Sequence, residues 1–540
     1  MTTVESTNKL RILFALVAVM MVAGVALPTT YTVTNTSDSE PGSLREAIES
    51  ANANPGQDLI AFNIPGPGPH TIQPELLPLM PWETYPILAL PMITDPVIID
   101  GYTQPGAYPA TESRPAKLLI EIDGINAIDE YWVNGLSIAA GNCTIRGLVI
   151  NRFGDCGIRI HENGSNIIQG NYLGTDVTGT QSRPNHDSGV AVGTSGNMIG
   201  GTTPEERNVL SGNGASGVQI YGGTGNVATG NYIGTDATAT ADLGNGWDGV
   251  HIGSNSSDAR IGPGNVISGN DSRSGIEILG NGATTNHRIV GNLVGTDVSG
   301  TNALGNEFGI RLMDCSGNTV EDNIVSNSRV SGISISCDPA LFSVQDNTVT
   351  GNTVCSNAVF GIQIEFADDN TIYNNSFINN GYMNGNLQVV DHAGVGNRFN
   401  LDKPLGGNYW SDWTGPDDNG DGFVDEPYVI WTPEGPYGEY GNQDNLPWAS
   451  QNSWSNGCLI KQIIAQVEAL DLPKGTENSL KAKLDNAAKK LGEQNINAAI
   501  NSLNAFINEV EAQRGKQIPI ADADDLIDAT QAIIDLLESM

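Results

Sequence analysis

The 540-residue chain carries 61 acidic against 25 basic residues, a formal net charge of −36, with 65 glycines and only 6% aromatic residues. That balance excludes a nucleic-acid partner, because a phosphate-binding face needs clustered Lys and Arg, and no lysine occurs between Lys117 and Lys403. The glycine share fits a turn-rich β array better than a single globular core, and six cysteines in such a length are too few to be the main source of stability.

The chain opens with Lys9 and Arg11 before an apolar stretch at 12–27 that ends in the small residues Ala23, Gly24 and Ala26. This order predicts a secretory signal peptide over 1–27, with an uncleaved anchor as the alternative; the stretch is short for a membrane span. No other segment predicts a span, so the expected location is extracellular or at the cell surface. Export would expose the cysteines to oxidation, and Cys315 and Cys337, one short coil apart, could pair.

Residues 28–115 predict an N-terminal cap and the first coils. A strand near Tyr31 is followed by Ser43 and Glu46, a capping-box pair leading into Leu44, Ala47 and Ile48 on one helical face. Such a helix can cover the open end of a stack of coils, which has no neighbour on that side.

Residues 116–400 are repetitive at two scales. GNYLGTD at 170–176, GNYIGTD at 230–236 and GNLVGTD at 291–297 recur at steps of 60 and 61 residues. A finer tetrad, Gly-Φ-x-Φ with Φ apolar, begins at Gly157, Gly189, Gly217, Gly249, Gly275, Gly309, Gly332 and Gly361. Each unit reads as several short strands with turn clusters between them and no helical run. Two inward residues per strand cannot bury a core alone, so the units must stack, which predicts an all-β solenoid of the parallel β-helix class. Asn at turn starts, among them Asn166, Asn171, Asn265, Asn323 and Asn352, suits left-handed backbone and coil-to-coil hydrogen bonds. Asp176, Asp236 and Asp297 of the GTD phrases predict turn caps; a phosphate loop would need Gly-Lys-Ser/Thr opening a helix.

PGSLREAI with NANPGQD, then IIDGYTQPGA at 98–107, TIRGLVINRFG at 144–154 and GNYLGTDVTGT at 170–180, resemble secreted bacterial and archaeal β-helix proteins with an SLREA-type start. The resemblance implies a right-handed, three-sheet parallel β-helix on or outside the cell, with a cap helix at its N-terminus. It implies little about activity.

The tetrad's x position points outward by the period-2 rule and gives the column Arg159, Ala191, Gln219, His251, Glu277, Arg311, Ser334 and Gln363. Consecutive members His251, Glu277 and Arg311 are the candidate catalytic residues, with Asp248 and Asp314 at the ends of the same strands. An acid, a base and a cation could meet there on a uronate or a glycosidic oxygen. A glutamate between His and Arg also makes an ordinary cross-strand charge ladder.

Residues 401–450 predict a C-terminal cap. Oxygen ligands at alternate positions in Asp417-Asp418-Asn419-Gly420-Asp421-Gly422-Phe423-Val424-Asp425 suggest a structural Ca2+ held by Asp417, Asn419, Asp421 and Asp425, although Tyr428 stands where a bidentate Glu would complete an EF-hand loop. The segment GGNYWSDWTGPDDNGDGFVDEPYVI resembles the closing part of NosD-type and carbohydrate-binding β-helix families. NosD-type resemblance implies copper, against which the six histidines are scattered. Tyr409, Trp410, Trp413, Tyr428, Trp431, Tyr437, Tyr440 and Trp448 could stack sugars or plug the solenoid; the plug is the favoured reading.

After residue 450 glycine becomes scarce, and 459–470, 477–491, 496–514 and 523–537 predict amphipathic helices of an α-helical module, 451–540. Glu511-Ala-Gln-Arg-Gly-Lys516 resembles the helical module of exported adhesin-like proteins, which implies attachment, for example to surface-layer proteins. The function expected is non-catalytic binding of polysaccharide or cell-surface glycans. The alternative is a polysaccharide lyase or glycoside hydrolase acting on the outer face.

Overall fold

The computed structural model describes residues 28–539 apart from 77–87, 128–131, 254, 271, 282–284, 343, 404, 433–441, 452–459, 461–462, 465, 468–469, 471 and 493–494. The predicted signal peptide, Cys458, Tyr437, Tyr440 and half of the predicted helix 459–470 lie outside the described residues. Two compact units, 1–214 and 215–540, are described in turn; their boundary falls inside the predicted solenoid.

In the first unit the strand Thr30–Val33 pairs in parallel with Asp58–Phe62, and helix α1, Leu44–Ala53, lies between them in sequence. Ser43 caps α1 by accepting the N–H of Glu46 at 3.2 Å, while the Glu46 carboxylate reaches back to the N–H of Gly42. Leu44, Ala47, Ile48 and Ala51 are buried, as the apolar stripe requires. Arg45 is buried too: it pairs with Asp38 and donates to the carbonyls of Glu75 at 3.1 Å and Ala89 at 2.9 Å. The arginine of the SLREA phrase therefore ties the cap helix to two later segments. Parallel strands then recur coil after coil in three sheets.

The second unit repeats the same three-sheet parallel β-helix. Its third sheet runs Val218–Ile220, Val250–Ile252, Ser274–Leu279, Phe308–Met313, Ser331–Ser336, Phe360–Glu365 and Val389–His392, all parallel neighbours. All but Val389–His392 are the predicted tetrads, and their apolar positions face inward: Val250, Ile252, Ile276, Ile310, Leu312, Ile333, Ile335, Ile362 and Ile364 are fully buried.

Buried Asn side chains link the coils. Asn292, Asn323, Asn352 and Asn375 each donate a backbone N–H to the side-chain oxygen of the next, Asn323, Asn352, Asn375 and Asn408, at 2.9–3.1 Å. The last rung is a carboxylate: Asp444 accepts the N–H of Asn408 at 2.7 Å and the indole N–H of Trp410 at 2.9 Å. Burial pushes the Asp444 carboxyl up to about 7 against the pull of those donors. The GTD aspartates cap their turns as expected; Asp236 accepts the N–H groups of Thr240 at 2.8 Å and Ala241 at 3.0 Å.

Of the C-terminal aromatics Trp410, Tyr428 and Trp448 are buried as a plug requires, whereas Trp431 is 45% exposed. Trp410 is sandwiched between Phe377 and Tyr428, with centroids 4.6 and 4.3 Å away, and Trp448 packs on Phe423 at 4.2 Å. Phe423 and Trp448 share one apolar cluster with helices α2 (Lys474–Gly492), α3 (Ile496–Gln513) and α4 (Ile520–Ser539), including Leu484, Leu503, Phe506 and Leu526. Helix α4 starts three residues before the predicted Ala523 because Pro519 supplies the carbonyl that Ala523 bonds at 2.9 Å. Among the described residues no helix is long and apolar enough to cross a membrane.

Cys315 and Cys337, which could pair by their spacing, are free thiols. Cys315 Sγ faces the Ile278 carbonyl of the preceding coil and Cys337 Sγ the Phe366 carbonyl of the following one, so the thiols point apart along the stack.

Candidate functional site

In parallel sheets aligned side chains from neighbouring coils stand about 4.8 Å apart. Gln219 aligns with His251, His251 with Glu277, Glu277 with Arg311, Arg311 with Ser334, and Ser334 with Gln363. The three candidate catalytic residues are therefore consecutive rungs on the outer face of the third sheet.

Their side chains meet. His251 Nδ1 lies 3.1 Å from Asp248 Oδ2 and 3.4 Å from Glu277 Oε2, and Arg311 Nη1 is 3.3 Å from Glu277 Oε1. Asp248 is held from its other oxygen by the N–H of Ser274 at 3.0 Å, at the start of the next strand. Asp314 accepts the N–H of Asp338 at 2.9 Å and supplies no rung to this group.

Two residues that the column did not contain complete the site. Arg273 reaches within 3.9 Å of Glu277 Oε2, and its guanidinium lies 5.2 Å from the ring centre of Trp247, whose own exposure is 49%. Both precede their strands, where the period-2 rule does not set direction: Trp247 lies three residues before Val250–Ile252 and Arg273 immediately before Ser274–Leu279.

Burial sorts the charges. Asp248 and Glu277 are 0% and 1% exposed, whereas the side chains of Arg311 and Arg273 are 28% and 48% exposed. For His251 burial is the largest single influence and works to lower its pKa, but the hydrogen bonds and charges of Asp248 and Glu277 prevail and raise it to about 9. Glu277 is lowered: desolvation, the largest influence, opposes this, and His251, Arg311 and Arg273 outweigh it. Asp248 is raised, chiefly by desolvation. At neutral pH the site is thus a cationic spot, two arginines and a protonated histidine over two buried carboxylates, on a strongly acidic chain.

The predicted calcium loop is drawn together by its own hydrogen bonds. Asp417 accepts the N–H groups of Asp421 at 3.1 Å and Gly422 at 3.0 Å, Asp425 accepts from Asp418 at 2.8 Å and Asn419 at 2.9 Å, and Asp421 pairs with Lys403. Among the described residues the groups of three ligating His, Cys, Asp or Glu side chains within 4.8 Å of one another are Asp155, Cys156 and Asp187, and Asp248, His251 and Glu277. The loop carboxylates would have to turn inward to share an ion.

Residues 208–415 match the family model described as periplasmic copper-binding protein (NosD), and residues 459–535 match that of the FIMAH domain. The first match lies on the solenoid, whereas the sequence resemblance rested on the closing segment alone. No match is found among curated proteins. Among solved structures the chain is similar to the A-module of the mannuronan C-5 epimerase AlgE4 from Azotobacter vinelandii, at 14% identity over 70% of this chain and 98% of that one, TM-score 0.34. It is also similar to an alginate lyase from Paenibacillus sp., at 15% identity over 68% of this chain and 99% of that one, TM-score 0.26.

Proposed function

We propose that this protein acts outside the cytoplasm as an anionic-glycan-binding β-helix, with the outer face around Trp247, Arg273 and Arg311 as the binding surface. The observation that carries the reading is the vertical sorting of charge. The carboxylates of Asp248 and Glu277 are buried and committed to His251 and the arginines, while Arg273 and the Trp247 ring are exposed and Arg311 is partly so. Guanidinium groups pair with carboxylates in a fork, and an indole offers its face to a sugar ring. The predicted export signal and the periplasmic description of the matching family support the location. The helical module is assigned to attachment, with surface-layer proteins as the partner class, and the loop of Asp417, Asn419, Asp421 and Asp425 to a structural Ca2+ near the C-terminal plug.

Titration calorimetry with polyuronate oligomers tests the binding surface. Arg273→Ala and Trp247→Ala should each weaken binding about tenfold, the size of one exposed charge or stacking contact, while a neutral glucan shows none. Equal affinity for neutral and acidic oligomers would remove the basis of the reading.

A second reading, polysaccharide cleavage, draws on one observation: a single imidazole lies within reach of two buried carboxylates beside Arg311. His251 would carry the proton and Arg311 would hold the uronate carboxylate. Direct hydrolysis by Asp248 and Glu277 is disfavoured, because both are buried below the surface a sugar can touch. Appearance of unsaturated or new reducing ends, lost in His251→Ala, would favour this reading over simple binding.

A further inference from the structure

The geometry of the Asp248, His251 and Glu277 group goes beyond glycan binding and does not depend on it. Nδ1 of an imidazole can donate one hydrogen, yet two carboxylate oxygens face it, at 3.1 and 3.4 Å. One nitrogen cannot satisfy both with good hydrogen bonds. The three ligand atoms, Asp248 Oδ2, His251 Nδ1 and Glu277 Oε2, come from two neighbouring coils and lie within 4.8 Å of one another. Bonds of about 2.0–2.2 Å to a first-row divalent ion place adjacent ligands roughly 3.0–3.6 Å apart, which brackets both separations.

We propose that Asp248, His251 and Glu277 bind a divalent first-row transition ion of the Zn2+ and Co2+ class. One imidazole with two carboxylates is too nitrogenous and too small a set for Ca2+, which takes 6–8 oxygens at longer range, and lacks the thiolates or thioethers that Cu(I) prefers. The surroundings supply an outer shell. The N–H of Ser274 holds Asp248 at its free oxygen, and Arg311 holds Glu277 Oε1, so each carboxylate is oriented with one oxygen left for the ion. Arg273, 48% exposed, sits at the outer rim and can swing away from Glu277 Oε2 as the ion enters. The ion's remaining positions would face out of the sheet, beside Trp247.

The test uses the full-length chain freed of metal by a chelator, titrated with Co2+ and followed by visible absorption, with Zn2+ calorimetry in parallel. Asp421→Asn serves as the background protein, so that the acidic loop does not contribute. One ion per chain is expected, with a nitrogen-containing Co2+ spectrum, and His251→Gln and Glu277→Gln should each weaken binding at least tenfold. Protection of His251 in this background protein from diethyl pyrocarbonate by Zn2+, read by peptide mass, gives the answer without altering a ligand. Unchanged affinity in folded variants, absence of binding at submillimolar metal, or labelling of His251 indifferent to Zn2+ would each overturn the site.

Discussion

The solenoid coils and the helical module of the second unit are held by different physics. Between Asn292 and Asn408 each coil is registered on the next by a buried side-chain oxygen that accepts a backbone N–H. In α2–α4 the backbone is satisfied within each helix, and apolar side chains such as Leu484, Leu503 and Phe506 make the joins. A coil therefore has one permitted register, while a helix pair has a face that tolerates volume-conserving exchange. That difference explains why a chemical group can be located by column on the solenoid and why the helical module offers only surfaces.

The largest way to break the contrast is Asn352→Ala. It strands the buried backbone N–H of Asn323, whose side-chain amide keeps the carbonyls of Ile289 and Glu321, and removes the amide donor from the carbonyls of Val320 and Thr350. At roughly 1–3 kcal/mol for the stranded donor and about 1 kcal/mol for each of the two hydrogen bonds that the Asn352 amide gives up, the loss should be about 4 kcal/mol. Denaturant unfolding followed in the β signal measures it. The second cut is Leu503→Ala in α3, fully buried, which should cost about 3 kcal/mol through its cavity and act on the helical signal first. If Asn352→Ala costs clearly less than Leu503→Ala, side-chain ladders are not what holds the coils.

Much of this was legible because the solenoid's code is short. The Gly-Φ-x-Φ tetrads fix both the strand and its outward residue, so the His251, Glu277 and Arg311 rungs follow from alignment alone. Trp247 and Arg273 were not found, because they lie before the strands, where neighbouring coils differ in length. Asp444 was hidden differently: it closes the Asn ladder from a position 36 residues beyond Asn408, across an irregular cap with no repeat to count along. His287 carried a usable signal that the tetrads obscured. Asn226, Asn318 and Asn347 each stand five residues before another Asn, at Asn231, Asn323 and Asn352, and His287 stands five before Asn292.

That spacing makes His287 an asparagine surrogate. Its Nδ1 accepts the N–H of Ala259 at 3.0 Å, as a rung oxygen would, and its backbone N–H is accepted by the side-chain oxygen of Asn318 at 2.9 Å. Desolvation, only partly opposed by Asp258, lowers its pKa to about 4. The unfolded chain, with the usual value near 6.5, binds more protons between these two pH values, so stability rises with pH across this window. The contribution is complete above about 6.5 and is lost as pH falls through 4, where the protonated ring can no longer accept from Ala259. A shift of this size corresponds to about 3 kcal/mol at most. His287→Asn should preserve the rung and flatten the pH dependence of solenoid unfolding between pH 6.5 and 4. It should leave the pH response of the helical module unchanged. An equally steep acid limb in the variant would mean that the rung does not sense protons, and would move the acid sensitivity to the carboxylates of the outer face.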